Sequence, residues 1–384
     1  MASGVNCTDD AWQRFVAISW GTPMGPLADV RILEFDAIGP VPLAAMLLSD
    51  MGADIVRIAR AGGQSAYEDV GGAILNRGRQ AVELDLKSAA GRQDALALVG
   101  RADILIEGFR PGVMERLGLG PEECLAQRGQ LVYARMTGWG QAGPLALRAG
   151  HDINYIAITG ALAAIGRSDA PPVPPLNIVG DYAAGAMMLL TGVLAALTEA
   201  RSSGQGQVVD VAMSDGVPLM MSLFSALQQR GSWSEMRESN LLDGGAPFYR
   251  TYECADGKYV AVGALEPQFF KLLLKGLDLD PAAYLQNERS SWPAMAQDFD
   301  QRFRTRTRDE WAAVFEATDA CVSPVLTMSE ASAHPHAVAR DGYALLDGTR
   351  HPAPAPRFSR TPGRIRPAAI ATTTEVLERW GRSP

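Results

Sequence analysis

Between residues 30 and 134 the chain repeats one cycle: a short apolar run, a turn and a helical run. Residues 31–35, 54–58, 82–86, 103–106 and 131–134 read as strands, and 42–51 and 88–99 read as helices. In the first helix Ala45, Met46, Leu48 and Met51 recur at helical spacing, and Gly52 is placed to cap its C-terminus. Strands that alternate with helices predict an α/β fold, with a large domain built on a mostly parallel, Rossmann-like sheet. A later region breaks the rhythm. Residues 250–254 and 259–262 are strand-like runs about the turn Ala255-Asp256-Gly257, and helical segments follow near 267–277 and 308–318. That pattern predicts a smaller α+β domain. The expected organisation is a leader over 1–24, disordered or preceding a natural start at Met24, then a large domain over 25–234 and a small domain over 235–330. A C-terminal segment over 331–384 returns to the large domain; its Pro-rich stretch 351–356 reads as an extended connector and 375–380 as a short helix.

With 384 residues, 47% hydrophobic and 20% charged, the chain can bury a core without covalent staples. Its cysteines, Cys7, Cys124, Cys254 and Cys321, lie far apart with no CxxC pair, which argues against a disulfide scaffold and a structural zinc site. The net charge is −8 and there is no basic run, so no nucleic-acid partner is expected. The apolar stretch 183–197 is shorter than a bilayer span and reads as part of a buried helix over 182–197. The first residues carry Asp9, Asp10 and Arg14 and do not read as a signal or transit segment. The expectation is a cytoplasmic protein without a membrane partner.

An α/β sheet invites a test for a dinucleotide. After the first strand the chain runs Asp36-Ala37-Ile38-Gly39-Pro40-Val41-Pro42. This is not GxGxxG, and its prolines remove amide donors that a pyrophosphate needs; no P-loop motif is present either. Cations stand near the ends of the expected strands instead: Arg60, Lys87 and Arg110, with Arg116 a turn or so further on. Ligands bind at the carboxyl ends of parallel strands, and arginine grips phosphate through two parallel hydrogen bonds. The same cations are equally at home as solvated strand ends.

Three acid/base candidates each have two readings. His151 lies between a glycine-rich loop and an apolar helix; it is a general acid or base, or simply a helix-start residue. Asp181 precedes the helix over 182–197; it is an ordinary N-cap, or a carboxylate beside amides that stabilise an anion. Glu266 precedes a helix; it orients an imidazole, or caps that helix. His334, His336 and His351 read as loop residues and no metal is expected; Cys254 and Cys321 have no activating neighbour, and Ser214-Asp215-Gly216 is not a nucleophile elbow.

Several stretches taken together resemble the family III CoA-transferase superfamily, and within it the α-methylacyl-CoA racemases. They include Ala53-Asp54-Ile55-Val56-Arg57-Ile58, Leu86-Lys87-Ser88, Ile106-Glu107-Gly108-Phe109-Arg110-Pro111-Gly112-Val113, Glu115-Arg116-Leu117-Gly118 and Tyr133-Ala134-Arg135-Met136-Thr137-Gly138-Trp139-Gly140. Gly150-His151-Asp152-Ile153-Asn154-Tyr155, Asp243-Gly244-Gly245-Ala246-Pro247 and Ala255-Asp256-Gly257 extend the resemblance, which runs from about Gly25 to Arg360. The resemblance implies CoA along the large domain, near Arg60, Leu84, Asp85, Leu86, Lys87, Gly108, Phe109, Arg110 and Arg116, and near Gly150, Asp152, Ile153, Asn154 and Tyr155. CoA is then part of an acyl-CoA substrate, and no separate cofactor is expected. It also implies His151 and Asp181 as paired acid/base groups with Glu266 in support, and an interlocked homodimer.

The implied reaction inverts the α-carbon of a 2-methylacyl-CoA by proton transfer through an enolate. The alternative is CoA transfer between carboxylic acids with Asp181 as nucleophile; a third reading is a non-catalytic relative. Transferases commonly carry Gly-Tyr-Asp where this chain has Gly150-His151-Asp152, and often a glycine-rich loop where it has Glu266-Pro267-Gln268. Asp36 and Val41 depart from the smaller residues of racemases, which suggests that their loop shapes the acyl pocket; Met220, Met221 and Leu223 are read as acyl contacts or core.

Overall fold

The computed structural model describes residues 25–60, 62 and 71–381, so the expected leader over 1–24 lies outside the described residues. The chain divides into two compact units. The first takes the residues up to Tyr155, Asn177–Leu219 and those from Ala339 onward; the second takes Ile156–Leu176 and Met220–Val338.

In chain order the first unit contributes β1 (Arg31–Phe35), α1 (Pro40–Asp50), β2 (Asp54–Arg60), β3 (Arg79–Leu84), α2 (Ala89–Val99), β4 (Ile104–Glu107) and β5 (Val132–Thr137). After α3 (Asp152–Ile158), a π-helical stretch Ile178–Ala186 runs without a break into α4 (Met187–Ser203), which leads to β6 (Gln207–Ala212). The second unit holds β7 (Tyr249–Glu253), β8 (Tyr259–Gly263), α5 (Pro267–Gly276), α6 (Trp292–Phe303), α7 (Arg308–Phe315) and β9 (Val322–Pro324). The chain then supplies the first unit with the hairpin β10 (Tyr343–Leu346) and β11 (Thr349–Pro352), the short β12 (Ala369–Ile370) and α8 (Thr373–Gly381).

Seven strands form one parallel sheet in the order β12-β3-β2-β1-β4-β5-β6. Side chains alternate across it with period two. Ile32, Ile55, Ile104 and Val132 pack with Ala44, Leu48, Leu189 and Val193 on one face. Leu33, Val56, Leu105 and Tyr133 pack with Ala95, Leu98, Val376 and Trp380 on the other. Burial on both faces is why these strands read as continuous apolar runs. The strand order reverses between β1 and β4, and the loops leaving those two strands border the crevice where open α/β sheets bind ligands.

Three expectations are corrected here. The third strand is Arg79–Leu84, not 82–86, because Arg79 is buried and bonded to Glu34 and Asn76 while Asp85 already turns the chain: its carboxylate accepts the Lys87 N–H at 3.0 Å and its carbonyl accepts the Ser88 N–H. The apolar helix begins at Ile178, not 182, and runs 26 residues to Ser203. By length and composition it could cross a membrane; it packs on β5, β6 and α1 through Leu189, Val193, Ala196, Leu197 and Ala200. His351, read as a loop residue in an extended connector, is buried in β11, with Nδ1 3.4 Å from Arg77 Nη1.

The second unit is a three-stranded antiparallel sheet, β7-β8-β9, covered by helices. Its first turn closes where Gly257 adopts φ 71° and Cys254 N–H donates to the Lys258 carbonyl. Rings fill the core: Phe248, Tyr252, Phe270, Trp292, Phe299, Phe303, Trp311 and Phe315 form one cluster.

Candidate active site

The loops at the strand-order reversal touch. Gly108 directly follows β4, and a Cβ placed there would lie 2.8 Å from the Ala37 Cβ in the loop after β1. That second loop ends at Gly39, whose φ of 75° starts α1; a Cβ at this position would lie 3.4 Å from Asp181 Oδ2. A side chain at Gly108 would drive the loops apart, and one at Gly39 would press on the Asp181 carboxyl. Asp36, ahead of Gly39, is tied to Arg57 at 3.2 Å, so its charge is paired instead of standing open in an acyl pocket.

Asp181 is the fourth residue of the π-helical stretch and therefore not the N-cap expected from the sequence. The stretch opens with a wide hydrogen bond from the Tyr182 N–H to the Asn177 carbonyl, the five-residue step that defines a π-helix. Asn177 also donates through Nδ2 to Asp181 Oδ2 at 3.2 Å. The Asp181 N–H donates to Asp152 Oδ2 at 2.7 Å. Burial raises the Asp181 pKa above the ordinary aspartate value; Asn177 opposes that rise, Asp152 adds to it and His151 opposes it. The hydrogen bond to Asp152 joins the segment that carries His151 to the backbone of Asp181.

His151 stands exposed just before α3. Its carbonyl accepts the N–H groups of Asn154 and Tyr155, and its own N–H donates to Asn154 Oδ1 at 3.0 Å. It is thus a helix-start residue whose backbone is fully used and whose imidazole is left for other work. Tyr155 anchors this turn. Its hydroxyl donates to the Gly150 carbonyl, and its ring meets Trp139 edge-on at 4.7 Å. Glycines at 138 and 150 leave the space: a Cβ at either would come within 2.7 Å of the ring. Burial pushes the Tyr155 pKa up to about 12, with Asp181 adding to the rise and Arg110 opposing it. Arg110 itself stands just past the end of β4.

The residues expected along CoA are distributed as follows. Arg60 ends β2 and pairs in register with Leu84 at the end of β3. Arg60, Lys87, Arg110 and Arg116 are all exposed. Asp85 and Leu86 form the turn described above, and Phe109 is held by its N–H to Glu107 Oε2 at 2.7 Å and by the Phe35 ring at 6.5 Å. Ile153 and Asn154 are exposed, whereas Asp152 is buried and faces the Asp181 amide. Glu266 belongs to the second unit, exposed at the N-cap of α5, and its side chain makes no cap hydrogen bond. Met220 and Leu223, read as acyl contacts or core, are exposed.

Asn177 escaped the sequence reading. Its signal was present in the four-residue spacing to Asp181, which puts both on one helical face. Gly39 and Gly180 carried no local signal, because their role depends on a neighbour distant in sequence.

The sequence pattern of CoA-transferase family III matches residues 27–371. The chain is 44% identical over 365 residues to the alpha-methylacyl-CoA racemase of Mus musculus, which covers 93% of this chain and 94% of that one. It is 42% identical over 364 residues to the Homo sapiens alpha-methylacyl-CoA racemase, with coverage of 93% and 94%. Among solved structures, a CAIB/BAIF family protein from Brucella suis shares the fold with a TM-score of 0.80 at 22% identity, over 93% of this chain and 99% of that one. Because the match takes in every strand of the large sheet and the crevice loops with it, the chain belongs to CoA-transferase family III.

Proposed function

We propose that this chain is a racemase that inverts the carbon beside the thioester of 2-methylacyl-CoA substrates. The observation that carries the reading is the 2.7 Å hydrogen bond from the Asp181 N–H to Asp152 Oδ2, which joins the segment bearing His151 to Asp181, whose carboxyl borders Gly39 in the loop after β1. Identity to two racemases over most of the chain supports the reaction class.

One group removes the α-proton, and the C–H electron pair moves into the thioester carbonyl to give an enolate. The other group then delivers a proton to the opposite face, and the pair returns as the new C–H bond. His151 and Asp181 exchange roles with direction. Burial favours the protonated form of Asp181, which suits the donating role. CoA is substrate here, its phosphates held by Arg60, Lys87, Arg110 and Arg116. The enzyme acts as an interlocked homodimer: Met220, Leu223 and Met236 leave apolar side chains in water that a second copy covers. A solution mass of a single chain by light scattering at assay concentration would exclude the dimer.

CoA transfer with Asp181 as nucleophile is the second reading, and the family's description favours it. That chemistry needs the Asp181 carboxylate, the form that burial disfavours. One experiment separates the two. Incubation with 2-methylacyl-CoA in D2O should place deuterium on the α-carbon, and His151→Ala should abolish it. CoA appearing on a free acid acceptor, with Asp181 trapped by hydroxylamine and no α-label, would sink the racemase reading.

A further inference from the structure

Asp152 is expected, from the resemblance, to lie against CoA. Its surroundings give it different work. It opens α3 and is only 6% exposed. Its Oδ2 accepts the Asp181 N–H at 2.7 Å, and its Oδ1 is buried with no hydrogen-bond partner. Gly180 makes the approach possible: a Cβ there would lie 2.7 Å from Oδ2 and 2.9 Å from Cγ of Asp152. A buried carboxylate with one amide donor is costly to keep, and a group kept at such cost bears on its neighbours through a medium of low dielectric.

Among the described residues, the charged and titratable groups around Asp181 are few. His151 and Tyr155 come with α3, as does Asp152 itself. Asn177 precedes the π-helical stretch and brings a neutral amide. Gly39, at the start of α1, brings backbone only. Arg110 bears on Tyr155, and so on the rim of the cluster. Asp152 brings the second carboxyl of this set, its Oδ2 2.7 Å from the Asp181 nitrogen, and a negative charge there favours the neutral form of the Asp181 carboxyl.

We propose that Asp152 is a positioning residue for Asp181: its hydrogen bond fixes the Asp181 backbone in the π-helical stretch, and its negative charge keeps the Asp181 carboxyl in the proton-donating form. The inference deepens the racemase reading and rests on Asp181 as an acid/base group. It removes Asp152 from the residues that hold CoA.

The test reads Asp181 directly. Difference infrared spectroscopy follows the protonated-carboxyl band across pH, assigned by its loss in Asp181→Asn. Asp152→Asn keeps an oxygen for the Asp181 N–H and removes the charge. In that variant the Asp181 midpoint should move to lower pH by about one unit. The α-exchange rate at saturation should fall by about tenfold or more, with KM for the thioester changed less than about twofold. Gly180→Ala pushes the Asp152 carboxylate aside and should move the midpoint in the same direction, which serves if Asp152→Asn fails to fold. An unmoved midpoint in a folded variant overturns the proposal. So does a rise in KM and in CoA dissociation constant with the midpoint in place, since that is the signature of a CoA contact. A wild-type protein that exchanges no α-proton sinks the racemase reading instead, and the infrared midpoint still decides the role of Asp152.

Discussion

The two units are stabilised by different means. The first packs aliphatic side chains on both faces of a parallel sheet and buries ion pairs among them; the second packs rings against a small antiparallel sheet. In the first unit Glu34 of β1 pairs with Arg79, and Glu107 of β4 pairs with Arg135 at 2.9 Å, which also reaches Glu115 at 2.7 Å. Both glutamates are fully buried, and both stand at the ends of the two strands whose loops meet at the crevice. Burial raises the pKa of each, with the paired arginines opposing it. Buried ion pairs are a poor source of net stability, because desolvation consumes most of the attraction. Their position argues for registering the strand ends beneath the loops that carry the site. The second unit has one sheet face to cover, and rings cover the largest area per residue.

Substitutions can break this contrast. Phe299→Ala in the second unit removes a fully buried ring that meets Tyr252, Phe270 and Tyr284, and should cost about 3–5 kcal/mol in chemical denaturation. Arg79→Leu should cost a similar ~3–5 kcal/mol by stranding Glu34, yet the double variant with Glu34→Leu should recover most of that loss. A double variant as unstable as the single one would mean the pair itself carries the first unit, and the contrast would fail. Ser88→Ala removes the side-chain acceptor at the start of α2, where Ser88 Oγ takes the Gly91 N–H at 3.0 Å, and should cost about 1 kcal/mol.

The smallest effect concerns pH. The folded pKa of Asp181 lies above its ordinary value of 3.8, so the folded state holds that proton more tightly than the unfolded state does. The resulting stability is complete below the unfolded pKa and is lost as pH rises through the folded one. Asp181→Asn should therefore raise the melting temperature at neutral pH, and the gain should shrink as pH falls toward 3.8. A melting temperature lowered at neutral pH would show that the ionised carboxylate is held favourably, against burial as the dominant influence.

Much of the first unit was readable because parallel strands covered on both faces carry mostly apolar residues, and β1, β2, β4 and β5 each hold an apolar run despite the buried charges of Glu34, Arg57, Glu107 and Arg135. β3 was misplaced because it begins at a buried arginine, a residue that reads as surface until its partner Glu34 is known. β9 and α6 went unseen: a three-residue strand and a helix that mixes rings with Gln297, Asp298 and Asp300 carry little periodicity of their own. Ile156–Leu176 leaves the first unit for the second in the middle of α3, with no turn or proline at the crossing to announce it.

By itself the sequence determined the α/β class and the cations near strand ends, because these depend on local periodicity and on residue types at fixed positions; the pairing of His151 with Asp181 came only as what the family resemblance implies. Only the tertiary structure decided that Asp181 sits inside a π-helical stretch, that Asp152 turns toward its amide, and that Gly39 and Gly180 leave the clearance. The physical reason is distance along the chain. The Asp181 N–H meets a carboxylate 29 residues away, and whether a carboxyl holds its proton depends on burial and neighbouring charge that folding alone assembles.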